Sequence, residues 1–219
     1  MPPSIFKYLL AEHLRAFLER GSLRIGTLHD YQQTEKYGLA IGDAGEGVLH
    51  LTTEFRTLEE HTAHWKEWRR ANGQDQPPPR IAKVTSVELV AVLRESPDGV
   101  VATTQADDGY LFCASSRYSA ELMGPLGYDA CLEIVDPDGF FLAVSGVLGE
   151  RADFLGYRPV AYVGRSWSRA SHPGVPRALL KEPEYAYQAE IRALWKPRLR
   201  PIAPLLIDAP AARAFCRPC

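Results

Sequence analysis

The sequence predicts an α+β fold. It reads as a single domain over residues 1–219 with a mixed, largely antiparallel sheet flanked by helices. Three observations carry this expectation. Short alternating segments outnumber helical ones, several are joined by hairpin-type turns such as "RESPDG", and only a few connections are long enough for parallel crossovers. A chain of 219 residues can form one large domain or two small ones, and one compact domain is the expectation.

Residues 5–9, "IFKYL", open the chain as a strand. Leu10, Leu14, Phe17 and Leu18 then recur at helical spacing, and Gly21 supplies the stop. In residues 22–28, Leu23, Ile25 and Thr27 alternate against Arg24 and Gly26, the pattern of a strand with one buried face. The glycine- and acid-rich "HDYQQTEKYGLAIGDAGEG" follows, and a connection this long in a compact domain is often functional. Residues 56–71 read as a polar helix with Trp65 and Trp68 on one edge. "NGQDQPPPR" then makes an exposed Pro-rich loop near 72–80. Residues 84–93 and 100–105 are strands flanking a hairpin turn, and 110–116 and 129–135 are two more. Asp136-Pro137-Asp138 starts a helix that runs through 140–148. Residues 158–163 form a strand and "GRSWSRASHPGVPR" a loop. "EYAYQAEIRALWKP", residues 184–197, alternates as a further strand. Its period puts Gln188, Glu190 and Arg192 on one side and Tyr185, Tyr187, Ala189 and Ile191 on the other. Residues 205–208 make a last strand before a short terminal helix.

Composition excludes some function classes. Hydrophobic residues are 46% and charged residues 24%, ordinary for a globular chain, and the formal net charge of −2 gives no overall basic field for nucleic acid. No apolar run approaches the roughly 20 residues of a membrane span. Residues 1–9 lack the basic start and long apolar core of a signal peptide, so a cytoplasmic location without membrane contact is expected. Cys216 and Cys219 have C-x-x-C spacing with no second ligand pair, so they are expected as two reduced thiols on a frayed tail. Cys113 and Cys131 are expected as small core residues. His61 and His64 fall on a charged helix face without a third ligand, and no metal is predicted.

Nucleotide P-loops, dinucleotide fingerprints, zinc-protease helices and nucleophile elbows are all missing from the sequence. The chemistry-bearing candidates are weaker. Asp30, Glu35, Asp43 and Glu46 crowd the acidic loop. They read as turn-makers, or as Asp30, Asp43 and Glu46 holding a metal in a hydrolase. Ser115 and Ser116 end a strand and read as caps for the next helix or as hydroxyls for a sugar. Glu190 sits mid-strand, where a carboxylate is costly to bury unless paired. Arg192, two residues on, is one explanation, and a catalytic carboxylate flanked by Gln188 is the other.

A resemblance touches these residues. "IFKYL", a helix and "GSLRIGTLHDYQQTE", then "YLFCASSRYSAELMGPLGYDACLEI", then "LLKEPEYAYQAEIRALW", resemble in order three blocks of a bacterial family of uncharacterised proteins. That family reads Y-[KR]-Y, then an F-N-D-P-F-E-like segment, a C-F-S…L-M-W…G-x-C-x-E block and W-x-Y-E-x-E-[WY]-R. Here "HDYQQTE" and "GDAGEG" stand in the F-N-D-P-F-E region, Gln188 replaces the first glutamate of E-x-E, and Gly124 follows Met123 where the family has Trp. More remotely, the layout is similar to ADP-ribosyltransferases, whose late strand carries [EQ]-x-E. Gln188-Ala189-Glu190 matches that motif.

The resemblance implies an NAD-using transferase, a bacterial toxin or phage-defence effector, with Glu190 as catalytic carboxylate and Gln188 toward the acceptor. Ser115 and Ser116 would hold the ribose, Tyr8 would line the pocket, and Arg24 or Arg192 would meet the pyrophosphate. The expected partners are a nucleotide-like small molecule and a protein or nucleic-acid acceptor. The alternative is a non-catalytic module binding a nucleotide, a nucleic acid or a protein, with basic residues such as Lys66, Arg69 and Arg70 as its surface.

Overall fold

A computed structural model of the chain describes residues 3–38, 42–53, 55–71, 91–97, 99–168 and 174–219. Its strands are β1 (Ile5–Leu9), β2 (Ser22–Thr27), β3 (Val48–Thr52), β4 (Ala91–Ser96), β5 (Gly99–Gln105), β6 (Tyr110–Ser115) and β7 (Ala130–Ile134). They continue with β8 (Ala152–Pro159), β9 (Ala161–Tyr162), β10 (Ser166–Ser168), β11 (Leu180–Lys181), β12 (Glu190–Pro197), β13 (Leu205–Asp208) and β14 (Cys216–Pro218). The helices are α1 (Ala11–Arg20), α2 (Thr34–Tyr37), α3 (Leu58–Ala71), α4 (Ala120–Met123) and α5 (Pro137–Leu148). The Pro-rich loop near 72–80 and residues 84–90 of an expected strand lie outside the described residues.

The fold is α+β with a largely antiparallel main sheet, as the sequence pattern predicts. The chain divides into two compact units. One comprises Met1–Glu46, Asp108–Tyr162 and Pro183–Cys219, the other Gly47–Asp107 and Val163–Glu182.

The first unit holds an eight-stranded sheet in the order β13-β2-β6-β1-β7-β14, with β12 also against β6 and β8 against β12. The registers of this sheet are antiparallel throughout. Strand alternation gives it two distinct faces. Ile5 and Leu9 of β1, Phe112 and Ala114 of β6, and Ile191, Ala193 and Trp195 of β12 enter the main core. Phe17 of α1 and Phe140, Phe141, Val144 and Leu148 of α5 cover them. Phe140 and Phe141 lie 5.2 Å apart edge to face, and Phe112 is 5.5 Å from Phe140. Such pairs add about 0.5–1.5 kcal/mol each beyond burial. The buried Trp195 indole donates to Ser145 Oγ at 2.9 Å, which meets its one polar requirement.

Both covering helices have identifiable ends. Asp136 caps α5 by accepting the Gly139 N–H at 3.1 Å, with Pro137 in the first turn. For α1, Leu10 offers no cap. Instead Asp129, far along the chain, accepts the Ala11 N–H at 2.6 Å. Gly21 ends α1 with φ +78° and donates to Phe17 O at 2.7 Å. A Cβ on Gly21 would lie 2.4 Å from the Ala209 backbone.

The second unit is a four-stranded sheet, β10-β3-β5-β4, with the β4–β5 hairpin turning at Ser96 and Gly99. Here β10 runs parallel to β3, inside a segment expected to be loop.

Three expectations are corrected. Residues 184–188 are not strand: Pro183–Gln188 is a 3-10 turn, and Ala189 at φ +45° reverses the backbone before β12 begins at Glu190. Aromatic spacing imitates a strand there, but the proline opens a turn and the first register pair is Glu190 opposite Ser115. Strand β8 begins at Ala152, six residues before the strand expected at 158. The C-terminus is not frayed, because Cys216, Arg217 and Pro218 pair with Ile134, Glu133 and Leu132 of β7.

Gly21→Ala should destabilise the protein by more than about 1 kcal/mol, since it adds both a left-handed backbone cost and overlap with Ala209. Urea melts of the two proteins measure this, and a change below that size would mean the α1 terminus relaxes freely.

Candidate functional site

The candidate site is the second face of the main sheet, opposite the helices. On β12, strand alternation sends Glu190 and Arg192 away from the core. They stand opposite Ser115 and Cys113 of β6. On β2 the same face carries Arg24 and Gly26.

Arg192 is the centre. It is 1% exposed and forks between two carboxylates. Its Nη1 and Nη2 donate to Glu46 Oε1 and Oε2 at 2.6 and 2.9 Å, and its Nε and Nη2 donate to Glu190 Oε1 and Oε2 at 2.8 and 3.2 Å. Glu46 is 1% and Glu190 6% exposed. The two glutamates drive the Arg192 pKa well above its ordinary value against the opposing effect of burial. Charges this deep persist because each lies within hydrogen-bond reach of an opposite charge.

Glu46 is delivered by a turn. Asp43 Oδ1 accepts the Gly45 N–H at 3.0 Å, Asp43 O accepts the Glu46 N–H at 2.8 Å, and Gln32 Nε2 donates to Glu46 O at 2.6 Å. Asp43 is therefore a turn-maker. Asp30 pairs closely with Arg24. Among the described residues no group of three His, Cys, Asp or Glu side chains can hold a metal ion. Of the three carboxylates Asp30, Asp43 and Glu46, Asp30 and Glu46 face arginines and Asp43 shapes a turn.

Arg24, Tyr31, Lys7, Cys113 and Tyr162 complete the lining. Gly26 leaves room for Tyr31, whose ring edge would lie 2.6 Å from a Cβ there. Arg24 sits over the Tyr31 ring at 5.9 Å from its centroid. Burial raises the Tyr31 hydroxyl pKa well above its ordinary value. Lys7 interrupts the apolar side of β1. Register pairs join β6 to β2 at Tyr110 and Leu111 and to β1 at Ser115, and Lys7 Nζ donates to the Cys113 carbonyl at 2.8 Å between these two ladders. Burial lowers the Lys7 pKa, although Cys113 and Glu190 oppose it. Cys113 is not a core residue. Its thiol hydrogen-bonds Glu190, and burial first, then the Glu190 charge, push it up to about 12. Tyr162 accepts the Glu190 N–H at 2.6 Å, and burial pushes its hydroxyl up to about 12.

The other expected residues fall around this group with different tasks. Ser115 donates to Gln188 O at 2.9 Å and accepts the Arg117 N–H at 3.3 Å. Tyr8 donates to Arg117 O at 2.9 Å and accepts the Ser119 N–H at 2.7 Å, within an apolar cluster with Leu126 and Cys131. Both hydroxyls thus hold backbone. Ser116 is exposed, and its N–H donates to Ala189 O at 2.8 Å. Gln188 is half-buried, but the reversal at Ala189 removes it from the Glu190 row, contrary to the strand reading. In the second unit, His61 and His64 edge Phe55 at 5.3 and 5.0 Å, and burial and His64 lower the His61 pKa. Lys66 and Arg70 are exposed on α3.

The chain matches no family model, and neither a curated protein nor a solved structure matches it. Among the described residues no helix is long and apolar enough to cross a membrane.

Arg192→Met should lower the unfolding free energy by about 3–5 kcal/mol, because two buried carboxylates lose their shared partner. Adding Glu46→Gln should recover part of that loss, and strict additivity in urea melts would show the groups to be uncoupled. Cys113 makes a separate pH prediction. The unfolded thiol titrates near 9 and the folded one near 12, so the folded state holds the proton longer. This stabilisation is complete below pH 9 and is lost as pH rises toward 12. Cys113→Ala should flatten the decline of stability over that window relative to the parent protein, and identical slopes would refute the assignment.

Proposed function

We propose that the first unit is an ADP-ribosyltransferase-like enzyme that uses NAD, with Glu190 as its catalytic carboxylate. The observation that carries this reading is the fixed orientation of Glu190 at the sheet face: Arg192 holds both of its oxygens while also holding Glu46. The group lies in a desolvated place, where an electrostatic interaction is stronger than in water. NAD presents a cationic nicotinamide ring. When the nicotinamide–ribose bond breaks, the bonding electron pair leaves with neutral nicotinamide, and the positive charge passes to an oxocarbenium-like ribose. A cation is therefore present beside the carboxylates throughout the step.

In this reading Glu190 accepts a ribose hydroxyl hydrogen bond and stabilises the developing charge by its field. Arg192 holds that carboxylate in one orientation, and its own attachment to Glu46 keeps it from neutralising Glu190 alone. Ser116 and Gln188, beside the first residue of β12, meet the ribose and the acceptor. Arg24 and Lys7 are the cations for the pyrophosphate, and Tyr31 offers an aromatic face. The acceptor, a nucleophile on a protein or nucleic acid, takes the ADP-ribosyl carbon and releases its proton. Tyr8 and Ser115 support this group by positioning the 115–119 backbone. The resemblance to a bacterial family of uncharacterised proteins, and more remotely to ADP-ribosyltransferases, supports a cytoplasmic toxin or phage-defence role.

Glu190→Gln should reduce NAD consumption by about 10²–10³-fold while the protein still folds. Nicotinamide release measured by chromatography checks this, alongside a urea melt. Unchanged turnover would remove Glu190 as the catalytic group. NAD binding by calorimetry without turnover in the parent protein would instead support the non-catalytic binding module.

A further inference from the structure

We propose that Cys131 and Cys219 form a redox-exchangeable latch, which fastens the C-terminal strand to β7 and braces the Tyr8 wall beside the Glu190 group. The proposal goes beyond the NAD reading, since it stands whatever ligand the sheet face takes.

The C-x-x-C spacing at the C-terminus suggests a dithiol, but extended backbone makes it two separate cysteines. Residues three apart on a strand point to opposite sides. Cys216 turns toward the main core, where its thiol donates to Ala212 O at 3.5 Å. Burial pushes that thiol up to about 12, so it stays protonated and is a poor competitor in exchange. Cys219 continues the β14 register and lies opposite Cys131, donating its N–H to Cys131 O at 3.1 Å. The two form a disulfide with Cα atoms 5.4 Å apart, across a sequence separation of 88. Cys216 is a free thiol, but the tail is a paired strand and Cys219 is joined to Cys131.

Apart from this bond, β14 is fastened by three register pairs and by the exposed Arg217–Glu133 bridge at 2.7 Å. Bridges of that kind contribute little on their own. The disulfide adds a covalent fastening to the core packing of Cys216 and the Cys219 N–H bond to Cys131 O. Its far end is not at the surface: Cys131 is buried, directly opposite Tyr8 on β1, and packs with it and Leu126. Tyr8 in turn bonds Arg117 O and the Ser119 N–H. Arg117 N–H donates to Ser115 Oγ, and Ser115 donates to Gln188 O. A continuous set of contacts therefore runs from the latch to the residue before Ala189 and Glu190.

Access fixes the direction of the exchange. Cys219 is exposed and Cys131 is buried, so a thiolate of an external dithiol attacks the Cys219 sulfur. The protein S–S bond breaks, its electron pair leaves on Cys131 sulfur, and that thiolate takes a proton from water. The second thiol of the reductant then attacks the mixed disulfide on Cys219. This releases Cys219 as a thiol and the reductant as its own disulfide. Two electrons and two protons pass to the protein. In a reducing cytoplasm the latch stands open, and under oxidative stress it closes.

The test is hydrogen exchange on the full-length protein after oxidation with glutathione disulfide or reduction with dithiothreitol, with Cys219→Ser in both buffers. Peptide mapping of the oxidised sample should recover Cys131 linked to Cys219. Reduction should accelerate exchange at the Cys216 and Arg217 amides and at the Ser119 amide, which donates to Tyr8, by about tenfold. Cys219→Ser should show the fast rates in either buffer. Failure to recover the linked peptide, or equal exchange in both buffers, would overturn the latch. Acceleration at Cys216 and Arg217 with an unchanged Ser119 amide would overturn its connection to the Tyr8 wall.

Discussion

A guanidinium buried to 1% exposure sets the terms for the first unit. Arg192 carries a charge that the sheet interior does not solvate, so its partners are obligatory. Alternation along β12 supplies Glu190 from two residues away. Nothing local supplies the second carboxylate, and Glu46 comes from 146 positions earlier. For Glu46 to arrive, the Asp43 turn, the Gln32 side chain and the Arg24–Asp30 pair must hold the acidic loop in one path. A neutral replacement of the whole trio can be as stable as the ion network, whereas loss of one member is costly. What the network secures is geometry: it places Glu190 in a single orientation beside Cys113, Tyr162 and Lys7.

Much of the architecture was legible because it depends on local periodicity. Leu14 and Phe17 marked α1, Gly21 marked its end, and the alternation around Arg24 marked β2. Asp136-Pro137 marked the start of α5 by the same cap chemistry that the structure uses. Where local pattern and long-range pairing disagreed, pairing decided. "EYAYQ" has strand composition, yet β6 ends at Ser115 and offers no register to the residues before Glu190, so the tyrosines are left in a turn. The short β10 is held by a parallel neighbour, which leaves no mark in its own sequence.

The site was half legible for the same reason. Glu190 and Arg192 were readable as a pair because they are two apart on a strand. Glu46 was noticed only as an acid in a crowded loop, where spacing cannot tell an arginine partner from a metal ligand. Lys7 and Tyr31 carry no sequence signal beyond one charge on an apolar strand side and one aromatic near a glycine. Cys131 and Cys219 are 88 residues apart, and only the register of β14 on β7 brings them together.

The order of the strands has a consequence for biosynthesis. β12 lies between β6 and β8, yet it is made after both, and β14, which borders β7, is made later still. A nascent chain that ends before Glu190 has Glu46 without its arginine and two strands with open edges, the kind of surface that other chains pair with. Nearly every partner in the large sheet must therefore wait for distant sequence, a topology that folds slowly and late. Newly made protein depends on protection from aggregation until the strands from Glu190 onward have been added.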